Sequence, residues 1–186
     1  MNNDFWKNKK ILLTGNTGFK GSWLSLWLKK LNTQVIGFSK SIPTQPSMFE
    51  SANVNNVMTT VFADIRDQEK LSQTIEKFRP EIIIHMAAQS IVKKSYVEPH
   101  ETYTTNVLGT LNLLESVRKT NFVRVVLNVT SDKCYKPLPL GRPFKEDDPL
   151  GGFDPYSSSK SCSELITTSY RKSFLILKIL KIIKLH

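Results

Sequence analysis

At 186 residues, with 40% hydrophobic and 23% charged side chains, the chain has the makings of one globular domain, which excludes disordered, collagen-like and mucin-like readings. Two cysteines, Cys134 and Cys162, and the few histidines show no zinc spacing, so no metal site is expected, a core can form without disulfides, and a reducing cytoplasm fits best. The net charge of +10 would suggest nucleic acid or an anionic membrane, but Arg171, Lys172, Lys178, Lys181 and Lys184 put half of it in an acid-free final stretch, so neither partner is expected.

The polar start, with Asp4 and no apolar run behind it, does not read as a signal peptide. Ile11-Leu12-Leu13 is too short for a helix and runs straight into a glycine turn, which predicts a buried strand. Residues 22–31 carry Trp23, Leu24, Leu26, Trp27, Leu28 and Leu31 at helical spacing. Residues 35–38 read as a second strand, a loop with Pro43 and Pro46 follows, and residues 57–63 read as a third, weaker strand. A helix over 67–78 has Asp67 as its N-cap and Pro80 just past its end. Ile82-Ile83-Ile84 is a fourth strand, and residues 98–120 form a long helix with Val107, Leu111, Leu114 and Val117 on one face. Residues 123–129 are a fifth strand and residues 156–174 a last helix. The alternation, with strands apolar throughout, predicts an α/β fold: a doubly wound, Rossmann-like parallel sheet covered on both faces, with ligands at the carboxyl ends of its strands.

Between the first strand and helix lies Thr14-Gly15-Asn16-Thr17-Gly18-Phe19-Lys20-Gly21, with three glycines at spacing three. Glycine allows the tight turn and the approach of backbone N–H groups to a pyrophosphate, to which the helix start adds a favourable dipole. The strand–turn–helix setting favours a dinucleotide site over a ligand-free glycine turn. The second strand ends in Ser39-Lys40, where such sites usually carry an acid for the adenosine ribose, and Lys40 could accept a 2′-phosphate, so this position does not choose between NAD and NADP. Asp64, after the third strand, could accept from the adenine amino group or could be a turn carboxylate. Ala87 and Ala88, in the string His85-Met86-Ala87-Ala88-Gln89, are small where backbone would pass a cofactor; His85 is assigned no role, since a lone histidine there is more often packed than catalytic.

Ser131, Asp132 and Lys133 emerge from the fifth strand, and Tyr156 and Lys160 lie one turn apart on one helix face. An ammonium near the phenol favours phenolate, which makes Tyr156 a candidate general base, with Ser131 holding a substrate hydroxyl. Asp132 and Lys133 could supply and remove protons or could be a solvated surface pair.

These residues resemble the extended short-chain dehydrogenase/reductase superfamily (NAD-dependent epimerases and dehydratases). The strings Gly18-Phe19-Lys20-Gly21-Ser22-Trp23-Leu24, Pro46-Ser47-Met48-Phe49-Glu50, Thr130-Ser131-Asp132-Lys133-Cys134-Tyr135 and Asp154-Pro155-Tyr156-Ser157-Ser158-Ser159-Lys160 resemble its CDP-glucose 4,6-dehydratase family in particular. The resemblance implies NAD as cofactor, touched by Gly15, Thr17, Gly18, Phe19, Lys20, Gly21, Asp64, Ile65, Ala87, Ala88, Gln89, Asn106, Tyr156 and Lys160. It implies CDP-glucose as the nucleotide-sugar substrate and a homo-oligomer at full length. Tyr156 would take the 4-hydroxyl proton, Lys133 would be the base at C5, and Asp132 would protonate the departing 6-hydroxyl. Related dehydratases carry Asp-Glu at the Asp132-Lys133 positions, so the lysine favours the CDP-sugar branch. An epimerase or dehydrogenase of the same superfamily is the alternative enzyme, and a non-enzymatic dinucleotide-binding module the alternative of another class.

The resemblance runs from about Asn8 and stops near Arg171-Lys172-Ser173-Phe174, so residues 1–174 are expected to form an NAD-binding domain. Family members are much longer, so a C-terminal substrate domain is expected to be absent, the sheet incomplete at that edge and this chain inactive as written. The tail, residues 175–186, is almost entirely Leu, Ile and Lys. AT-rich DNA read out of frame yields such strings, and a frameshift product is expected; a membrane-surface helix is the alternative.

Overall fold

The computed structural model describes residues 3–139 and 141–175. Five strands, β1 (Lys10–Thr14), β2 (Gln34–Ser39), β3 (Thr59–Phe62), β4 (Ile82–His85) and β5 (Val125–Asn128), form one parallel sheet in the order β3-β2-β1-β4-β5. Between them run α1 (Phe19–Lys30), the short α2 (Met48–Ser51), α3 (Gln68–Phe78), α4 (Val92–Val97), α5 (Pro99–Tyr103) and α6 (Gly109–Arg118); α7 (Pro155–Ser173) follows β5. The chain winds outward from β1 through β2 to β3, then returns to the other side of β1, so strand order reverses between β1 and β4. That reversal opens a crevice at the carboxyl ends, where ligands bind in such sheets.

Side chains alternate across the sheet. Leu12, Ile36, Phe38, Ile83 and Val126 join Leu71, Ile75, Leu113 and Val117 in one core, while Ile11, Leu13, Val35, Ile82 and Ile84 join Leu28 in the other. Both faces are apolar because both are covered, as the uninterrupted apolar strands predict. Asp67 does cap α3, its carboxylate accepting from the Lys70 N–H, and Arg79 ends that helix in the left-handed region before Pro80.

Two helices depart from the sequence expectation in instructive ways. Helix α1 forms, but buries Gly21, Ser22, Ser25 and Leu28, leaving Trp23 and Trp27 half exposed at 55% and 51%. The helix start must lie against the glycine turn, which only small residues permit. The long helix over 98–120 is interrupted: a π-helical turn, Thr104–Leu108, separates α5 from α6. The extra residue rotates the buried face, so Asn106, Thr110, Leu113 and Val117 point inward while Val107 and Leu111 are half-buried. Helix α2 falls just past Pro46, where the pattern predicts a loop, and α4 in a stretch for which the sequence predicts no element.

Leu175, the first residue of the expected tail, is buried in the main core with its N–H on the Tyr170 carbonyl; the rest of that tail lies outside the described residues. Among the described residues, no helix is long and apolar enough to cross a membrane.

Candidate active site

The glycine turn sits at the crevice, and its three glycines answer to different demands. Gly15 has φ +76°, and a Cβ there would lie 2.8 Å from the Ala87 nitrogen, so it serves the turn and the contact with the β4 loop. A Cβ on Gly21 would stand 2.1 Å from the Gly15 carbonyl oxygen; this glycine lets α1 close onto the turn. Gly18 is different. Its φ −71° and ψ 166° suit any residue, and a Cβ would come no nearer to the protein than 3.4 Å. Neither the backbone angles nor packing demand glycine at 18, while a ligand lying on the helix start would. Gly18 is also the N-cap of α1 and offers no side-chain acceptor, so the N–H groups of the first turn, at Phe19 and Lys20, remain for an anion. The residues present therefore fit a pyrophosphate.

Next to the turn, a buried hydrogen-bond network fixes the β4 edge. The Thr14 hydroxyl accepts from the N–H groups of Met86 and Ala87, both at 3.1 Å, so its own hydrogen goes to His85 Nδ1 at 2.7 Å. His85 is thereby the Nε2–H tautomer and donates to Thr110 Oγ1 at 3.3 Å, and Thr110 donates to the Asn106 carbonyl. Burial, with the Lys160 charge adding to it, pushes the His85 pKa down to about 3, so this histidine is a neutral structural link. Asn106 spends its amide on the Gln89 backbone, both N–H and carbonyl, and on Ser159 Oγ of α7. Gln89 holds Ile91 and Thr102 in turn. Both side chains act on the loop carrying Ala87 and Ala88, which is half-buried along the crevice.

Ser131, Asp132 and Lys133 lie past β5 in a short 3₁₀ turn, with the Ser131 hydroxyl capping the Lys133 N–H. Helix α7 brings Tyr156 beside them. Ser131 Oγ faces both Asp132 Oδ1, at 3.1 Å, and the Tyr156 phenol. The side chains of Asp132 and Lys133 are exposed. Lys160 lies one turn along α7, buried, its Nζ 3.4 Å from the Val129 carbonyl. Burial lowers its pKa to about 8, against the pull of Cys134 and Glu164. One expectation is corrected here: the Tyr156 phenol is raised, not lowered. Its burial outweighs the opposing hydrogen bond from Ser131, and the charges of Asp132 and Asp154 push the same way as burial.

The buried face of α7 is polar, which sequence reasoning missed. Asn128 donates to Ser163 and Thr167, Thr130 to the buried Glu164 carboxylate, and Ser161 to the Cys134 carbonyl. The signal was there: an asparagine inside Val125-Val126-Leu127-Asn128-Val129, and serines where a core-facing helix should carry apolar residues.

Thr17, Asp64 and Ile65 lie at the far end of the same edge. The Thr17 hydroxyl donates to the Ser41 carbonyl, tying the turn to the segment just past β2. Asn16, also missed, links that turn to Ser39 and Thr60, and Gly37 leaves room for it. Ile65 is a core residue against Gly109. Asp64 is clamped by Arg66 and paired with Lys40. Strands β3 and β5 lie about 19 Å apart across four strand spacings, so Asp64 and Ser131 follow strands at opposite ends of the sheet, with the glycine turn after the central β1. The arrangement accommodates an elongated ligand with its phosphates in the middle.

The model of the GDP-mannose 4,6 dehydratase family matches residues 12–185. A CDP-glucose 4,6-dehydratase of Salmonella typhimurium is 49% identical over 92% of this chain and 48% of its own length. A UDP-glucose 4-epimerase of Mycolicibacterium smegmatis is 33% identical over 89% of this chain and 52% of its own. The chain thus spans about half the length of the curated relatives it matches. Among solved structures, dTDP-glucose 4,6-dehydratase of Bacillus anthracis in complex with NAD has a TM-score of 0.79 at 27% identity, covering 95% of this chain and 54% of that one. The NAD complex of Thermus thermophilus UDP-glucose 4-epimerase has a TM-score of 0.81 at 28% identity, covering 94% and 53%. A glycine turn shaped for a pyrophosphate, a Tyr-Lys pair at the nearby strand ends, and a family match over nearly all of the sequence lead to one conclusion: the chain belongs to the GDP-mannose 4,6-dehydratase family.

Proposed function

We propose that this chain is the NAD-binding part of a CDP-glucose 4,6-dehydratase. The enzyme would convert CDP-D-glucose to CDP-4-dehydro-6-deoxy-D-glucose and water, in the bacterial cytoplasm, supplying deoxysugars for surface polysaccharide. The observation that carries the reading is the grouping of Ser131, Asp132 and Tyr156 at the carboxyl edge, with Lys133 beside them and Lys160 beneath. The 49% identity to the Salmonella dehydratase supports the CDP-sugar branch. NAD, when bound, would supply reversible redox chemistry at the sugar.

Each side chain then has a task. Tyr156 takes the proton of the 4-hydroxyl, and because burial holds its phenol high, it needs positive charge nearby to do so. Lys160 provides that charge; with a pKa of about 8 it is an ammonium at neutral pH. Ser131 orients the hydroxyl. Once C4 is a ketone the C5 proton is acidified, and Lys133 removes it, while Asp132 protonates the departing 6-hydroxyl.

The test is to incubate the protein carrying this chain with NAD and CDP-glucose in deuterated water. The expected product is a 4-keto sugar that absorbs in alkali, with deuterium at C5. Turnover of only another nucleotide sugar, or inversion at C4 without loss of water, would reject the reading; the latter would favour the epimerases.

A further inference from the structure

Resting on the NAD reading, we infer that Asp64 is a specificity-determining residue: from the end of β3 it neutralises Lys40 at the end of β2 and so turns the adenosine-ribose position against a 2′-phosphate.

In sheets of this kind the end of the second strand faces the adenosine ribose, and an acid there selects the unphosphorylated cofactor. This chain has Ser39 and Lys40 instead. Ser39 is buried and its hydroxyl is spent on Asn16 Oδ1 at 2.8 Å. Lys40, 59% exposed, is the cation at this strand end. Its Nζ, however, lies 3.3 Å from Asp64 Oδ2, on the neighbouring strand.

Asp64 is held in place for this. Arg66 donates its backbone N–H and Nε to Oδ1, both at 3.0 Å, and Nη2 to Oδ2 at 2.6 Å. Lys40 adds an ion pair to Oδ2. These bonds orient the carboxylate toward Lys40. The Arg66 guanidinium keeps it ionised, well below the usual carboxylate range. Arg66 is itself committed, with Nη1 turned to Thr104 Oγ1 at 3.5 Å.

The surrounding charges also cancel. Glu101 bears on both Arg66 and Lys40, and Lys94 pairs with Glu101 at 2.8 Å and Glu98 at 3.4 Å. Lys40, Arg66 and Lys94 thus face Asp64, Glu98 and Glu101, and the cluster carries no net charge. A 2′-phosphate needs an unpaired cation, whereas a ribose hydroxyl does not.

Calorimetric titration of the 186-residue chain with NAD and with NADP tests this. The chain should prefer NAD. Asp64→Asn keeps the side-chain shape and an acceptor for the Arg66 N–H; it should move the NAD-to-NADP affinity ratio about tenfold toward NADP, the size expected for one partly screened charge near a phosphate. Adding Lys40→Gln to that variant should return the ratio toward the original. Lys40→Gln alone changes an exposed side chain, leaves the fold intact, and should widen the preference for NAD. An Asp64→Asn chain that binds NAD more weakly with the ratio unchanged would overturn the inference and make Asp64 an adenine contact. A ratio shift that survives Lys40→Gln would also overturn it. Tighter NADP than NAD binding by the unaltered chain would overturn the inference alone, whereas binding of neither dinucleotide would overturn the NAD reading itself.

Discussion

One methyl group added at Gly18 and one added at Gly21 should separate binding from folding within a single turn. At Gly21 the new carbon would sit 2.1 Å from the Gly15 carbonyl oxygen and 2.8 Å from the Asn16 Cα, both backbone atoms. Relief to an ordinary contact needs a shift of more than about 1 Å between turn and helix, and overpacking of this kind costs about 1–3 kcal/mol. The shift also strains the Ser22 hydroxyl bond to the Asn16 carbonyl, at 3.1 Å. Replacing a helical glycine recovers up to about 1 kcal/mol, so Gly21→Ala should lose about 2 kcal/mol net or somewhat less. At Gly18 the nearest protein atom would be 3.4 Å away and the backbone angles are allowed for alanine. The weaker N-cap costs a few tenths of a kcal/mol, and the stiffer unfolded chain returns about 0.4–1 kcal/mol, so stability should hold within about 0.5 kcal/mol. NAD affinity should nevertheless fall at least about tenfold, because the methyl group occupies the approach of the pyrophosphate. Urea denaturation read by circular dichroism and calorimetric NAD titration measure the two effects. The reasoning fails if Gly18→Ala is as destabilising as Gly21→Ala, or if it binds NAD like the parent.

Two buried bases shape the pH dependence of stability. The folded pKa of His85, about 3, lies below its unfolded value, so the stability it contributes is complete above about pH 6.5 and is lost toward pH 3, with a slope of up to about 1.4 kcal/mol per pH unit. His85→Gln, which offers an acceptor to Thr14 and a donor to Thr110, should flatten that acid limb in pH-resolved denaturation; an unchanged slope would show that His85 does not carry it. Lys160, lowered to about 8 from 10.5, binds fewer protons folded than unfolded between these values, so stability should rise across that window and Lys160→Met should remove the rise. In the protein carrying this chain, Tyr156→Phe should abolish oxidation at C4, while Lys133→Ala should spare it and slow deuterium entry at C5 by about 10²–10⁴-fold. Wild-type C5 exchange in Lys133→Ala would remove the proposed base.

The strands, their parallel arrangement and the glycine turn were legible in the sequence because each rests on local chemistry. Ile11-Leu12-Leu13 and Ile82-Ile83-Ile84 are too short and too apolar for anything but covered strands, and Asp67 and Pro80 bracket a helix by rules that need no neighbours. The Tyr156–Lys160 spacing likewise placed both residues on one helix face. Tertiary structure decided the rest. Which face α1 buries depended on the Gly15 carbonyl that Gly21 must clear, and the π turn at Thr104–Leu108 rotated Asn106 inward onto the loop after β4. The direction of the Tyr156 shift depended on how deeply α7 sinks against β5, since desolvation is a property of the assembled site and opposes what a neighbouring ammonium would do. The partner of Lys40 is 24 residues away in the chain and one strand away in space, so the charge at the ribose position was set by Asp64 and Arg66, which no local pattern connects to β2.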